Sequence, residues 1–182
     1  MNHNFKFIDL FAGIGGFHLA FHNLGCECVF ASEIDKFARI TYQENISKIS
    51  PELFDRNMFA GDIQEVDTKQ IPDFNILCAG FPCQPFSKSG KQLGMEEDRG
   101  SLFHDIAYIL EKHKPSMVVL ENVRNIAGPR HVHEWEVIIR TLRELGYRVS
   151  SQPLVVSPHR IAPEFGGRPQ FRERVLIAAT LC

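Results

Sequence analysis

Phe5-Lys6-Phe7-Ile8-Asp9-Leu10-Phe11-Ala12-Gly13-Ile14-Gly15-Gly16 runs from an apolar segment straight into a cluster of glycines. Residues 5–10 read as a buried strand, and residues 16–24 as a helix. Glycines at such a junction allow a tight turn and a close approach of backbone to ligand, and the helix start offers free N–H donors. Gly16 follows Gly15 directly, so the spacing is not the dinucleotide G-x-G-x-x-G. A nucleoside cofactor therefore fits better than NAD. Glu33 follows Gly13 by 20 residues and ends the second predicted strand, residues 27–32. There a doubly wound fold places an acid to bond ribose hydroxyls. The competing reading is a plain strand–helix turn.

Beyond this unit, short apolar runs alternate with helical patterns, the signature of a parallel α/β sheet. A helix is predicted over residues 36–45, a weak strand near 57–60 and a further strand over 75–79. Pro82 and Pro85 forbid regular structure next, and a long loop runs over residues 84–100, a length that in compact domains usually carries function. A helix over 101–113 puts Leu102, Phe103, Ile106, Ile109 and Leu110 on one face, with Ser101 as cap. A strand over 117–120 ends in Glu121-Asn122. A second amphipathic helix covers 131–145, and β-rich segments 147–156 and 175–181 predict a hairpin at the sheet edge.

The chain has 182 residues, 44% hydrophobic and 23% charged. A single domain of that size buries roughly 70% of its unfolded surface, and disorder is excluded. No apolar run approaches the ~18 residues of a membrane span, and no secretory leader pattern precedes residue 9. Five cysteines without Cys-x2-Cys spacing suit a reducing, cytoplasmic setting, not a disulfide framework or a zinc site. The net charge of −2 divides unevenly. Residues 124–182 hold nine Arg, no Lys and five Glu, giving +4, and residues 1–123 carry −6.

Three further motifs carry chemistry. In Gly80-Phe81-Pro82-Cys83-Gln84-Pro85-Phe86-Ser87, Cys83 follows a predicted strand beside the presumed cofactor cleft. A thiolate is a strong nucleophile, so Cys83 is the candidate nucleophile, whereas Cys78 inside the strand reads as a buried small residue. Glu121-Asn122-Val123 places a carboxyl group at a strand end, able to act as general acid or hydrogen-bond donor. The bland reading is a solvated acid. In Gln170-Phe171-Arg172-Glu173-Arg174, strand alternation would point Arg172 and Arg174 the same way, suiting phosphate or base-edge recognition. An Arg/Glu surface ladder is the alternative.

With these motifs in this order, the chain from about residue 5 to 179 resembles the cytosine carbon-5 DNA methyltransferases. The resemblance implies a Rossmann-like, S-adenosylmethionine (SAM)-dependent fold, mostly parallel with a terminal antiparallel hairpin. It implies that Phe11, Gly13, Gly15 and Gly16 hold SAM, with Glu33 on the ribose and Ile34, Asp62, Ile63, Pro82 and Leu102 around the adenine. Cys83 would attack carbon-6 of a flipped cytosine, Glu121 would bond its nitrogen-3 and amine, and Arg174, with Arg172 nearby, would hold its oxygen. The methyl acceptor is double-stranded DNA, the product S-adenosylhomocysteine, and no metal or membrane is involved. Lys88, Lys91 and Arg99 would help the 84–100 loop close over DNA.

Members of the family continue into a target-recognition region and a final helix, which these 182 residues do not contain. The expectation is a single catalytic domain of a split or truncated enzyme, completed by a second protein chain. An RNA cytosine methyltransferase, an inactive binding partner of the same fold and an NAD oxidoreductase are the competing readings.

Overall fold

The computed structural model describes residues 5–82 and 101–182. The first strand, β1 (Lys6–Leu10), enters a turn and then helix α1 (Gly16–Asn23). Strand β2 (Glu27–Ser32) leads to α2 (Lys36–Ile46), a short α3 (Glu52–Asp55) and β3 (Phe59–Ala60). Next come β4 (Ile76–Ala79), α4 (Leu102–His113), β5 (Met117–Val123) and α5 (Val132–Glu144). The chain closes with β6 (Tyr147–Val149), β7 (Leu154–Val156) and β8 (Arg174–Leu181). Local chemistry sets the helix starts. The Asp35 side chain accepts from the Ala38 N–H at 2.7 Å to cap α2, and Ser101 accepts from His104 at 3.3 Å to cap α4.

The sheet order is β3-β2-β1-β4-β5-β8-β6, with β7 also paired to β8. The first five strands of that order are parallel; β8 is antiparallel to β5, β6 and β7. The predicted antiparallel pairing is therefore present, but β8 lies inside the sheet and β6 forms the edge. β5 also runs three residues beyond the predicted 120, because Glu121, Asn122 and Val123 pair with Leu176, Val175 and Arg174 of β8. Strand alternation divides the core into two layers. Ile8, Leu10, Val118 and Leu120 join the α4/α5 side, where Ile106, Leu110, Ile138 and Leu142 are fully buried. Phe7, Cys28 and Cys78 join Tyr42 and Ile46 on the other.

The second layer encloses polar groups. Fully buried His18 of α1 pairs its Nδ1 with the Tyr42 hydroxyl at 2.8 Å and its Nε2 with Ser50 Oγ at 2.9 Å. Burial, with a smaller push from His22, lowers the His18 pKa to about 4. Asp9 on β1 is fully buried, and neither carboxyl oxygen has a hydrogen-bond partner among the described residues. Burial pushes its carboxyl well above the ordinary carboxylate range.

These two groups act on stability with opposite signs. Between its ordinary 6.5 and about 4, the unfolded chain protonates His18 while the folded chain does not, so this contribution is lost as pH falls. Above 3.8 the unfolded chain releases the Asp9 proton while the folded chain keeps it, so that contribution is lost as pH rises. The Asp9→Asn variant retains only the His18 effect. From about pH 4.5 to about 6.5 its stability should climb more steeply than wild type, by up to about 1.4 kcal/mol per pH unit. Denaturant midpoints across that range check this; an equal or shallower climb would mean that Asp9 is not held neutral.

Candidate active site

The carboxyl ends of the parallel strands carry the candidate residues, as open α/β sheets require. The turn after β1 bends through left-handed backbone at Phe11 (φ 54°), Gly13 (φ 56°) and Gly15 (φ 95°). At Gly15 the conformation and the packing both demand glycine, since a β-carbon there would lie 3.1 Å from Ile46 Cδ1 and 3.3 Å from Tyr42 Cδ2. A left-handed phenylalanine is uncommon, and such strain collects where ligands bind. Beside Gly13 and Gly16 nothing among the described residues lies within 4 Å of the position a side chain would take. Toward the described residues the turn thus borders open space.

Glu33, just past β2, fastens this turn. Its Oε2 accepts from the Gly13 N–H at 2.7 Å and its Oε1 from the Asp35 N–H at 2.8 Å. Neighbouring groups line the same sheet end. Ile34 is 69% exposed, an apolar surface free to cover a ligand. Asp62 accepts from the Gln64 N–H at 3.0 Å, ordering the short turn after β3. Leu102 is half-buried at the start of α4, and Pro82 is exposed. Ile63 differs: at 6% exposure it belongs to the core, so it supports this wall from behind.

Glu121 projects from β5 and meets Arg174 at the start of β8, Oε1 to Nε at 2.7 Å. Both side chains are about three-quarters buried, at 28% and 24% exposure, so this is a charge-assisted contact in a partly desolvated setting. Arg174 Nη1 also donates to the Glu173 carbonyl at 2.9 Å. Its remaining N–H groups stay available to a further acceptor. Gly80 joins the two halves of the site. A β-carbon there would lie 3.6 Å from Glu121 Oε2 and 3.7 Å from the Phe11 carbonyl oxygen. A side chain at position 80 would fill the space between the glycine turn and the carboxylate.

Asn122, absent from the sequence-derived candidates, is 2% exposed and bonded through both ends of its amide. Its Nδ2 donates to the Phe81 carbonyl at 2.9 Å and its Oδ1 accepts from the Val123 N–H at 2.8 Å. It therefore ties the Gly80–Pro82 segment to the end of β5. A buried asparagine inside an apolar strand was the available signal, since such a group needs partners. Cys83, Lys88, Lys91 and Arg99 lie outside the described residues. Arg172 departs from expectation. β8 begins at Arg174, so strand alternation does not reach back to Arg172, which is exposed and bonds Ser157 Oγ through its backbone N–H at 3.1 Å.

Among the described residues, no group of three or more His, Cys, Asp or Glu side chains is disposed to hold a metal ion, and no helix is long and apolar enough to cross a membrane.

The profile of the family described as C-5 cytosine-specific DNA methylase matches residues 5–181. The type II methyltransferase M.AluI of Cellulosimicrobium cellulans is 51% identical over 99% of this chain and 34% of its own length. M.HhaI of Haemophilus parahaemolyticus is 46% identical over 93% of this chain and 47% of its own. A solved Spodoptera frugiperda DNMT2 variant superposes with a TM-score of 0.70 at 25% identity, covering 97% of this chain and 50% of that one. The chain thus spans half or less of these relatives' lengths.

Proposed function

The chain belongs to the C-5 cytosine-specific DNA methylases, and from that premise we propose that residues 1–182 form one SAM-binding catalytic domain that methylates carbon-5 of cytosine in double-stranded DNA. The observation that carries this reading is the Glu121–Arg174 pair at 2.7 Å, adjoining the glycine turn across Gly80.

The residues present fit SAM. Open space flanks Gly13 and Gly16, Glu33 offers a carboxylate at the turn, and Ile34 offers an exposed apolar surface. Phe11, Gly13, Gly15 and Gly16 would hold the methionine side, Glu33 the ribose, and Ile34, Asp62, Pro82 and Leu102 the adenine, with Ile63 behind. When bound, SAM supplies an electrophilic sulfonium methyl group.

The remaining chemistry belongs to the chain. Cytosine carbon-5 is too electron-poor to take a methyl group until a nucleophile adds at carbon-6, and Cys83 provides that thiolate. Its sulfur–carbon bond moves electron density into the ring. Glu121, acting as general acid toward nitrogen-3 while accepting from the exocyclic amine, and Arg174, donating to the carbonyl oxygen on carbon-2, stabilise the negative charge that develops. After methylation, loss of the carbon-5 proton returns electrons to the ring and expels Cys83. Arg172, exposed and outside β8, would act at the periphery. The base must leave the stack, at roughly a few kcal/mol.

We propose that a segment carrying target recognition and a final helix, on this polypeptide or on a complementary second one, completes the domain. The setting is that of a cytoplasmic bacterial or phage enzyme.

Incubation with methyl-labelled SAM tests this reading, on duplex DNA and on RNA, with and without such a polypeptide. Label recovered as 5-methylcytosine in DNA is the expected result. Label confined to RNA, or none with the complement added, would refute it.

A further inference from the structure

Two connections at the carboxyl end of the sheet, β5–α5 and β7–β8, meet on one carboxylate. Glu173, directly before β8, holds Arg124 Nη1 on its Oε2 at 2.6 Å and Arg160 Nη2 on its Oε1 at 3.3 Å. Arg124 directly follows β5, and Arg160 lies in the turn after β7. The carboxylate is 23% exposed, whereas the two guanidinium groups are 62% and 60% exposed. The hydrogen bond from Arg124 holds the Glu173 carboxyl below the ordinary carboxylate range, so it remains an anion. Two cations thus share one anion, and each keeps most of its N–H donors free toward solvent.

Exposed ion pairs add little to stability, so a stabilising role does not account for gathering two connections here. The surroundings point to a ligand. Residues 157–174 hold Arg160, Arg168, Arg172 and Arg174 against Glu164 and Glu173, and Arg124 adds a further positive charge. The same Glu173 accepts Arg174 Nη1 through its carbonyl, which places the cluster one residue from the Glu121–Arg174 pair. SAM carries no phosphate, and its one carboxylate belongs to the methionine side assigned above to the glycine turn, away from this cluster. Planar guanidinium forks match phosphate oxygens.

We propose that Arg124 and Arg160, held on the two oxygens of Glu173, form a clamp for backbone phosphates of the nucleic-acid strand whose cytosine is presented to Glu121 and Arg174. Glu173 is the positioning residue of this clamp. The inference rests on the nucleic-acid substrate proposed above and deepens it.

Equilibrium binding to a fluorescent cytosine-containing duplex, measured across a salt titration with SAM affinity followed in parallel, tests both parts. Arg124→Ala and Arg160→Ala should each weaken binding equally on all duplex sequences. Each should reduce the slope of log K against log salt by about 1, and the double variant by about 2. Glu173→Gln raises the net charge by one, which alone would tighten binding; loss of the common anchor should weaken it instead. SAM affinity should stay at the wild-type value throughout, showing that the fold is kept. A double variant with the wild-type slope overturns the clamp, and tighter binding by Glu173→Gln overturns the positioning role. Both results leave the methyltransferase reading standing. A wild-type protein without affinity for any duplex, with the completing polypeptide present as well as without it, overturns the substrate reading, and the clamp with it.

Discussion

Replacing Cys83 by serine is expected to abolish methyl transfer while leaving SAM affinity at its wild-type value. Sulfur supplies a usable fraction of thiolate near neutral pH, whereas a serine hydroxyl holds its proton and adds poorly to an aromatic carbon. The reaction has no alternative route, because carbon-5 stays electron-poor until carbon-6 is attacked. A loss of more than ~10³-fold in single-turnover rate follows for removal of an obligatory nucleophile. None of the residues assigned to SAM includes position 83, so calorimetric titration with SAM should not distinguish the variant from wild type. Weakened SAM binding would point to a structural role for the thiol.

Glu121→Gln should lower the rate by about 10²- to 10⁴-fold, the range for removing a positioned acid or charge stabiliser. Glutamine keeps the shape of the side chain but not its charge, and it leaves Arg174 without the partner now at 2.7 Å. An arginine at 24% exposure that has lost its carboxylate is poorly compensated. The loss should fall on the single-turnover rate constant at saturating SAM and DNA, with SAM affinity intact, because Glu33 and the glycine turn are untouched. A variant that binds SAM poorly, or turns over normally, contradicts the role given to Glu121.

Much of the fold is legible in the sequence, for local reasons. β2 spans the predicted residues 27–32, and Ser101 caps α4 as read, because strand composition and caps are short-range signals. Glu33 reads in the sequence as a ribose partner, and its bond to the Gly13 N–H at 2.7 Å is a contact that the 20-residue spacing alone does not announce. Non-local pairing is what composition conceals. Glu121 and Asn122 end the apolar run, yet β8 lies alongside and carries β5 on to Val123. The same pairing begins at Arg174, which removes Arg172 from the strand. Asp9 lies inside the predicted buried strand, but only the packing of α1 over β1 shows its carboxyl fully enclosed. The Arg124–Glu173–Arg160 bridge joins two connections through residues 49 and 13 apart along the chain, so no local pattern announces it. Asn122 had a local signal, a polar residue among apolar neighbours, but its partner Phe81 lies 41 residues away.

The central claim is covalent attack by Cys83, and duplex DNA carrying 5-fluorocytosine tests it most directly. Fluorine cannot leave carbon-5 as a proton does, so the adduct formed after methylation persists through denaturing electrophoresis. With SAM and the complementary polypeptide present, wild-type protein should become cross-linked to the fluorinated duplex and Cys83→Ser should not. An adduct that survives the loss of Cys83, or none with the wild-type thiol, would contradict the mechanism.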